Sequence, residues 1–336
     1  MTGRERVTAL LRGETTDRPP ALPIVHSAYA RLAGLPLGKY YSDAPTMADA
    51  IIGGCRRYGF DGVQLSMGVT GEAEALGARV EQPADGAPLL KEHPLRDVGA
   101  FASLDPADAG RRGRMPTYFQ AVRKVADEIG AQSFILSTLR GPLNIASQLR
   151  GVEEMLMDMI EDADGAAGLL DFTTEVAIEV CRASIGSGAH ALLFGEATCS
   201  PNFISPDMYR EFVQPRHDRL IAEAKAMGWA FTGFHICGDI RPIFADIIGT
   251  GATFLDVDYQ VPAEEAIALA SGRIAMRGNL DPSGVFSQSQ PAEIEARTAR
   301  LRAAVTGHRW IMSSGCDISP GVSQANLDAF ARAATA

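Results

Sequence analysis

Along the whole of this 336-residue chain, short runs rich in apolar and β-branched residues alternate with longer segments of helical periodicity. The runs cover 22–26, 62–66, 133–137, 189–194, 230–235, 253–258, 273–277 and 309–313. Strands separated by helix-length crossovers pair in parallel, and the right-handed crossover rule leaves few ways to arrange eight of them. The spacing therefore predicts an α/β fold, a (β/α)8 TIM barrel, spanning residues 1–336 as one domain.

Amphipathic segments at 47–58, 118–129, 205–227 and 291–305 supply the intervening helices, and Ser205-Pro206-Asp207 reads as an N-cap with proline at the first helical position. Two stretches depart from the repeat. Residues 73–116 are rich in Gly, Pro and Asp and read as an excursion with room for a hairpin of its own. Residues 143–187 read as two consecutive helices joined near 162–165.

Charge narrows the partners. The formal net charge is −10 and the basic residues are scattered, so neither nucleic acid nor an anionic membrane surface is an expected partner. No apolar run reaches the ~20 residues of a membrane span. The opening MTGRERVTALLRGE is charged and helical in pattern, unlike a secretory signal, and a cytoplasmic protein is expected. Five cysteines, an odd number, do not suggest a disulfide framework.

In a barrel of this type the chemistry is built on the C-terminal ends of the strands. The fifth run closes with His235 and Cys237, and side chains at i and i+2 share one face of an extended strand. The eighth ends in SSGCDI, which puts Cys316 on the same rim. Taken alone, an H-x-C pair is usually structural. Joined by a second cysteine at another strand end, it becomes a candidate metal site, and two soft thiolates with one imidazole suit Zn2+ better than magnesium, calcium or a facial-triad iron. Three protein ligands leave a fourth position open. Asp258 is put forward as an exchangeable fourth ligand, with Asp256 on the same strand face. His26, Glu196 and Asn279 also fall at strand ends and are candidate pocket residues. Cys55, Cys181 and Cys199 read as packing residues. The chain has no Gly-rich phosphate loop and no G-x-S-x-G elbow.

The segments LLRGETTDRPP, RYGFDGVQL, RGPLNIASQLRGVEEML, FISPDMYREFVQP, FHICGDI, RGNLDP and SSGCDI together resemble the uroporphyrinogen decarboxylase superfamily over nearly the whole chain. HICG with the late Gly-Cys resembles its corrinoid-dependent branch, exemplified by the methylcobamide:coenzyme M methyltransferases. That resemblance implies zinc held by His235, Cys237 and Cys316. It also implies a methylcorrinoid supplied by a separate corrinoid-binding protein, and a small thiol acceptor or methyl donor. The decarboxylases are similar in their early region but carry a pair of arginines after the first strand and an aspartate after the second. Here only Arg31 follows the first run, and Ser66, Met67 and Gly68 stand where the aspartate is expected. The expected activity is therefore a zinc-dependent methyl transfer. The alternatives are a uroporphyrinogen-type decarboxylase and a non-catalytic zinc- or corrinoid-binding barrel. A homodimer is a further expected partner state, since barrels of this size often pair.

Overall fold

The computed structural model describes residues 1–336. Seven parallel strands form one curled sheet in the order β1 (Gly62–Leu65), β4 (Phe134–Arg140), β5 (Ala191–Gly195), β6 (Thr232–His235), β7 (Phe254–Val257), β8 (Ala275–Leu280) and β9 (Trp310–Ser314). Helices cross between successive strands, as parallel pairing requires. The sheet order follows the chain order, so each expected run from the second onward finds its place within a few residues.

The first run is the correction. Residues 22–26 form no strand, and the segment makes a single parallel bridge, Ala21 to Met312. It nevertheless touches both edges of the sheet. Leu22 N–H donates to Met312 O (3.0 Å), Met312 N–H to Pro20 O (2.7 Å), and Asp61 N–H to Ala21 O (2.8 Å). Pro23 within the run and Pro19 and Pro20 just before it explain the irregularity, because these three residues have no N–H to offer a ladder.

A buried charge network holds that segment in place. Arg6 donates to both oxygens of Asp17 (2.6 and 2.7 Å) and pairs with Asp61, while Arg18 Nη1 donates to Asp61 Oδ2 (2.7 Å). Asp61 Oδ2 also accepts from Ala21 N–H (2.7 Å). Arg6 sits in the opening helix Gly3–Arg12, whose capping box joins Thr2 and Glu5. The helix's apolar face, Val7, Leu10 and Leu11, packs on Leu22, Phe134, Leu136, Ala191, Leu193, Phe254, Ala275 and Ile311. This cluster fills the N-terminal end of the curled sheet.

The excursion contains an antiparallel hairpin of β2 (Arg79–Glu81) and β3 (Leu89–Glu92), followed by two short 3-10 turns. Residues 143–187 hold three helices rather than two: Pro142–Arg150, Val152–Glu161 and Ala163–Ala183. The additional break falls at Gly151, and Asp162 caps the third helix by accepting from Gly165 N–H. The segment 205–227 is helical as expected but is interrupted by a π turn over Tyr209–Val213. No helix is long and apolar enough to cross a membrane.

Candidate metal centre

His235 is the last residue of β6, and its chain leaves the sheet through Ile236 and Cys237 before turning at Gly238. The turn is fastened from the neighbouring strand end: Gly238 N–H donates to Asp258 Oδ2 (3.0 Å). Cys316 follows β9, and its placement depends on a close backbone approach. Gly315 N–H donates to Leu280 O (2.7 Å), and a Cβ at Gly315 would lie 2.6 Å from Tyr259 N. A side chain there would push Cys316 off its position.

These two strand ends bring three ligand atoms together. His235 Nε2 lies 3.2 Å from Cys237 Sγ and 3.5 Å from Cys316 Sγ, and the two sulfurs are 3.8 Å apart. Tetrahedral coordination with metal–sulfur bonds near 2.3 Å and metal–nitrogen bonds near 2.05 Å demands about 3.8 Å between sulfurs and about 3.6 Å between sulfur and nitrogen. The sulfur–sulfur side and the side from Nε2 to Cys316 match that demand, the side from Nε2 to Cys237 at 3.2 Å is shorter than it, and the sulfur separation excludes a disulfide at its present width.

The other nitrogen of the imidazole is fixed from behind. His235 Nδ1 is 2.8 Å from Asp256 Oδ2, and Arg277 donates to both oxygens of the same carboxylate (2.8 and 2.6 Å). Asp256 and Arg277 are each 1 % exposed. Burial works to raise the Asp256 pKa, but Arg277 and His235 more than offset it and hold the carboxyl below its usual range. A carboxylate on Nδ1 sets the tautomer that leaves Nε2 as the ligand atom. For the imidazole itself, burial opposes the charge, while Cys237, Asp256 and Cys316 raise its pKa well above the ordinary value. The contact between the sulfurs lowers the Cys316 pKa and raises that of Cys237, with burial raising both and the imidazole lowering both.

The triangle opens on a cavity of about 190 Å³, lined also by His26, Gln64, Ser66, Thr138, Arg140 and Asp317. Of the pocket residues expected from the sequence, His26 is in place. Its Nδ1 lies 3.2 Å from Asp317, and its Nε2 is buried without a partner.

The structure does not bring Asp258, Glu196 or Asn279 into the cavity lining. Asp258 gives one oxygen to Gly238 N–H and the other to Gln260 N–H, so it serves a turn and stands outside the ligand triangle. Glu196 is fully buried and caps the helix Pro142–Arg150 through Leu143 N–H (3.1 Å) and Asn144 N–H (2.8 Å). Its Oε1 also meets His217 Nε2 at 3.0 Å, and Cys199 lies against this buried pair. Asn279 Nδ2 donates to Val261 O (2.6 Å).

Arg140 and Arg277 were not visible as site residues in the sequence. The signal for Arg140 is its position at a strand end, directly before the Gly-Pro that opens a helix. Arg277 has none, because its role depends on a carboxylate 21 residues away.

The model of the family described as uroporphyrinogen decarboxylase (URO-D) matches residues 2–336. Among curated relatives, the methylcobamide:CoM methyltransferase MtaA of Methanosarcina barkeri is 27% identical, covering 99% of this chain and 97% of its own. The methylcobamide:CoM methyltransferase MtbA of Methanosarcina mazei is 26% identical, covering 97% of this chain and 95% of its own. A solved structure described as a methyltransferase from Methanosarcina mazei superposes with a TM-score of 0.91 at 24% identity, over 100% of this chain and 98% of that one, which supports the fold. With the family model spanning all but the first residue, the chain belongs to the uroporphyrinogen decarboxylase family.

Proposed function

We propose that this chain is a zinc-dependent methyltransferase that moves a methyl group between a corrinoid-binding protein and a small thiol or other methyl donor or acceptor. The observation that carries the reading is the triangle of His235, Cys237 and Cys316, with sides of 3.2, 3.5 and 3.8 Å, open to a cavity on one side. The names of the relatives, methylcobamide:CoM methyltransferases, support the same class of reaction.

The residues would divide the work. His235 and the two cysteines would hold the ion, Asp256 and Arg277 would keep the imidazole oriented, and the cavity would admit a small molecule to the remaining position. A zinc ion bound there supplies Lewis acidity, lowering the pKa of a coordinated thiol so that the thiolate is present near neutral pH. In the acceptor direction the sulfur–carbon bond forms as the cobalt–carbon bond breaks, with the electron pair staying on cobalt and the thiol proton passing to solvent. The methylcorrinoid is a substrate carried by the partner. We read Pro20–Ile24 as the eighth stave of the barrel and residues 1–336 as one domain with an excursion at 73–116.

The test is methyl transfer from methylcobalamin to a thiol, with and without a chelator. Transfer that stops when metal is removed and returns with zinc supports the reading. Decarboxylation of a tetrapyrrole unaffected by chelator would replace it with the decarboxylase alternative. Stoichiometric metal without any turnover would leave only a carrier.

A further inference from the structure

The five cysteines divide by their surroundings. Cys55, Cys181 and Cys199 are buried, and burial raises the pKa of each, which keeps them as unreactive thiols. Cys55 Sγ is further engaged by Phe60 O and Ser133 Oγ (3.8 and 3.4 Å). Cys237 and Cys316 are the two that keep some exposure and line the cavity. They are also the two whose sulfurs meet, at 3.8 Å.

A disulfide requires about 2.05 Å between sulfurs, so the pair has about 1.8 Å to close. Both backbones are pinned. Gly238, next to Cys237, gives its N–H to Asp258, and Gly315, next to Cys316, packs so tightly that a Cβ would lie 2.6 Å from Tyr259 N. Closure therefore falls to the side chains. One rotamer change at either cysteine carries its sulfur roughly 3 Å, because staggered wells stand about 120° apart, and this exceeds the gap.

With its consequence for metal resting on the reading above, we infer that Cys237 and Cys316 form an oxidation site, a dithiol that a hydroperoxide converts to a disulfide in competition with metal binding. One sulfur, as thiolate, attacks the peroxide; an S–O bond forms, the O–O bond breaks and hydroxide leaves. The other sulfur attacks the resulting sulfenic acid; the S–S bond forms, the S–O bond breaks and a second hydroxide leaves. Each hydroxide takes one thiol proton. Two thiols and one hydrogen peroxide thus give one disulfide and two waters, with two electrons passing from sulfur to oxygen. Ser66, Thr138 and Arg140 line the same cavity and offer O–H and N–H donors to the departing hydroxide. The disulfide has lost both anionic donors and leaves His235 as the one remaining ligand of the triangle. Two equivalents of a small thiol reduce it again by exchange, becoming a disulfide themselves.

The test is hydrogen peroxide treatment of the purified protein, with and without prior chelation, read by peptide mass mapping and by zinc released to a chromogenic chelator. The metal-free protein is expected to lose two free thiols and about 2 Da, and to yield one linked peptide pair carrying Cys237 and Cys316. The zinc-loaded protein is expected to react more slowly, releasing one zinc for each link formed, and dithiothreitol to reverse both changes. Cys199→Ser should leave the link intact. Cys237→Ser should abolish it and send Cys316 on to a sulfinic acid. Sulfinic acid on either cysteine of the wild type without a link, or a link to Cys55, Cys181 or Cys199, overturns the site. Zinc bound, with no link formed even after chelation, would sink the oxidation site and spare the metal reading. A link formed in a protein that takes up no zinc would do the reverse.

Discussion

The two ends of the curled sheet are built from the same strands and differ in what their side chains leave unsatisfied. At the N-terminal end, Val7, Leu10 and Leu11 plug an apolar interior, and the charges that fasten the opening segment are paired, with Asp61 accepting from Arg6, Arg18 and the Ala21 amide. At the C-terminal end, two sulfurs and a ring nitrogen converge on one another, Arg140 has no carboxylate, and His26 Nε2 and Gln64 Oε1 are buried without partners. An unpaired buried polar group costs free energy, and His26 and Gln64 carry theirs in the lining of a cavity where a ligand can meet them. Stability should therefore respond to changes at the first end, and metal and ligand binding to changes at the second.

Asp61→Ala should break that division most strongly on the stability side. It would leave Arg6 and Arg18 without a buried partner and release the segment at Ala21, costing about 3–5 kcal/mol in a denaturant titration. Metal content per folded molecule should not change. A loss below about 1 kcal/mol would mean that the network does not fasten the first segment.

Asp256→Asn sharpens the comparison, because Asp256 sits between the two regimes. Its loss of charge should weaken metal binding about ten- to a hundredfold, measured by competition with a chelator. It should also destabilise the fold, since Arg277 is left buried without its anion. Metal affinity equal to wild type would show that the imidazole is held by other contacts.

The smallest effect concerns His190, at the N-terminal edge of β5. Burial first, and then the nearby Arg4, push its pKa down to about 4, and its Nδ1 accepts from Ile135 N–H (2.9 Å), which only the neutral ring can do. Because the folded pKa lies below the unfolded value of about 6.5, the contribution to stability is complete above that pH and is lost as pH falls toward 4. An NMR titration of the ring should give a midpoint near 4, and His190→Gln should flatten the fall in urea midpoint over that window. A midpoint near 6.5 would contradict the assignment.

What could be read in the sequence follows the range over which each feature is determined. Strand and helix periodicity is local, so seven of the eight runs fall on strands of the sheet, while the first is spoiled by prolines that an apolar count alone does not penalise. His235 and Cys237 are two residues apart on one strand end, and Cys316 shares their rim because parallel strands end on one side. For Asp258, strand position says that a carboxylate is near the mouth without saying what it accepts; the amides of Gly238 and Gln260 take it. Glu196 likewise faces a helix N-terminus supplied by the preceding strand's crossover. Asp256, Arg277 and Arg140 acquire their roles only through neighbours across the sheet.

Absorption spectroscopy of the cobalt(II)-substituted protein tests the shared coordination of His235, Cys237 and Cys316 most directly. Stoichiometric uptake with the intense thiolate-to-metal band of a tetrahedral site carrying two sulfurs is expected, weakened in Cys237→Ser and in Cys316→Ser. A wild-type protein that takes up no metal, or a spectrum that either substitution leaves unchanged, would contradict it.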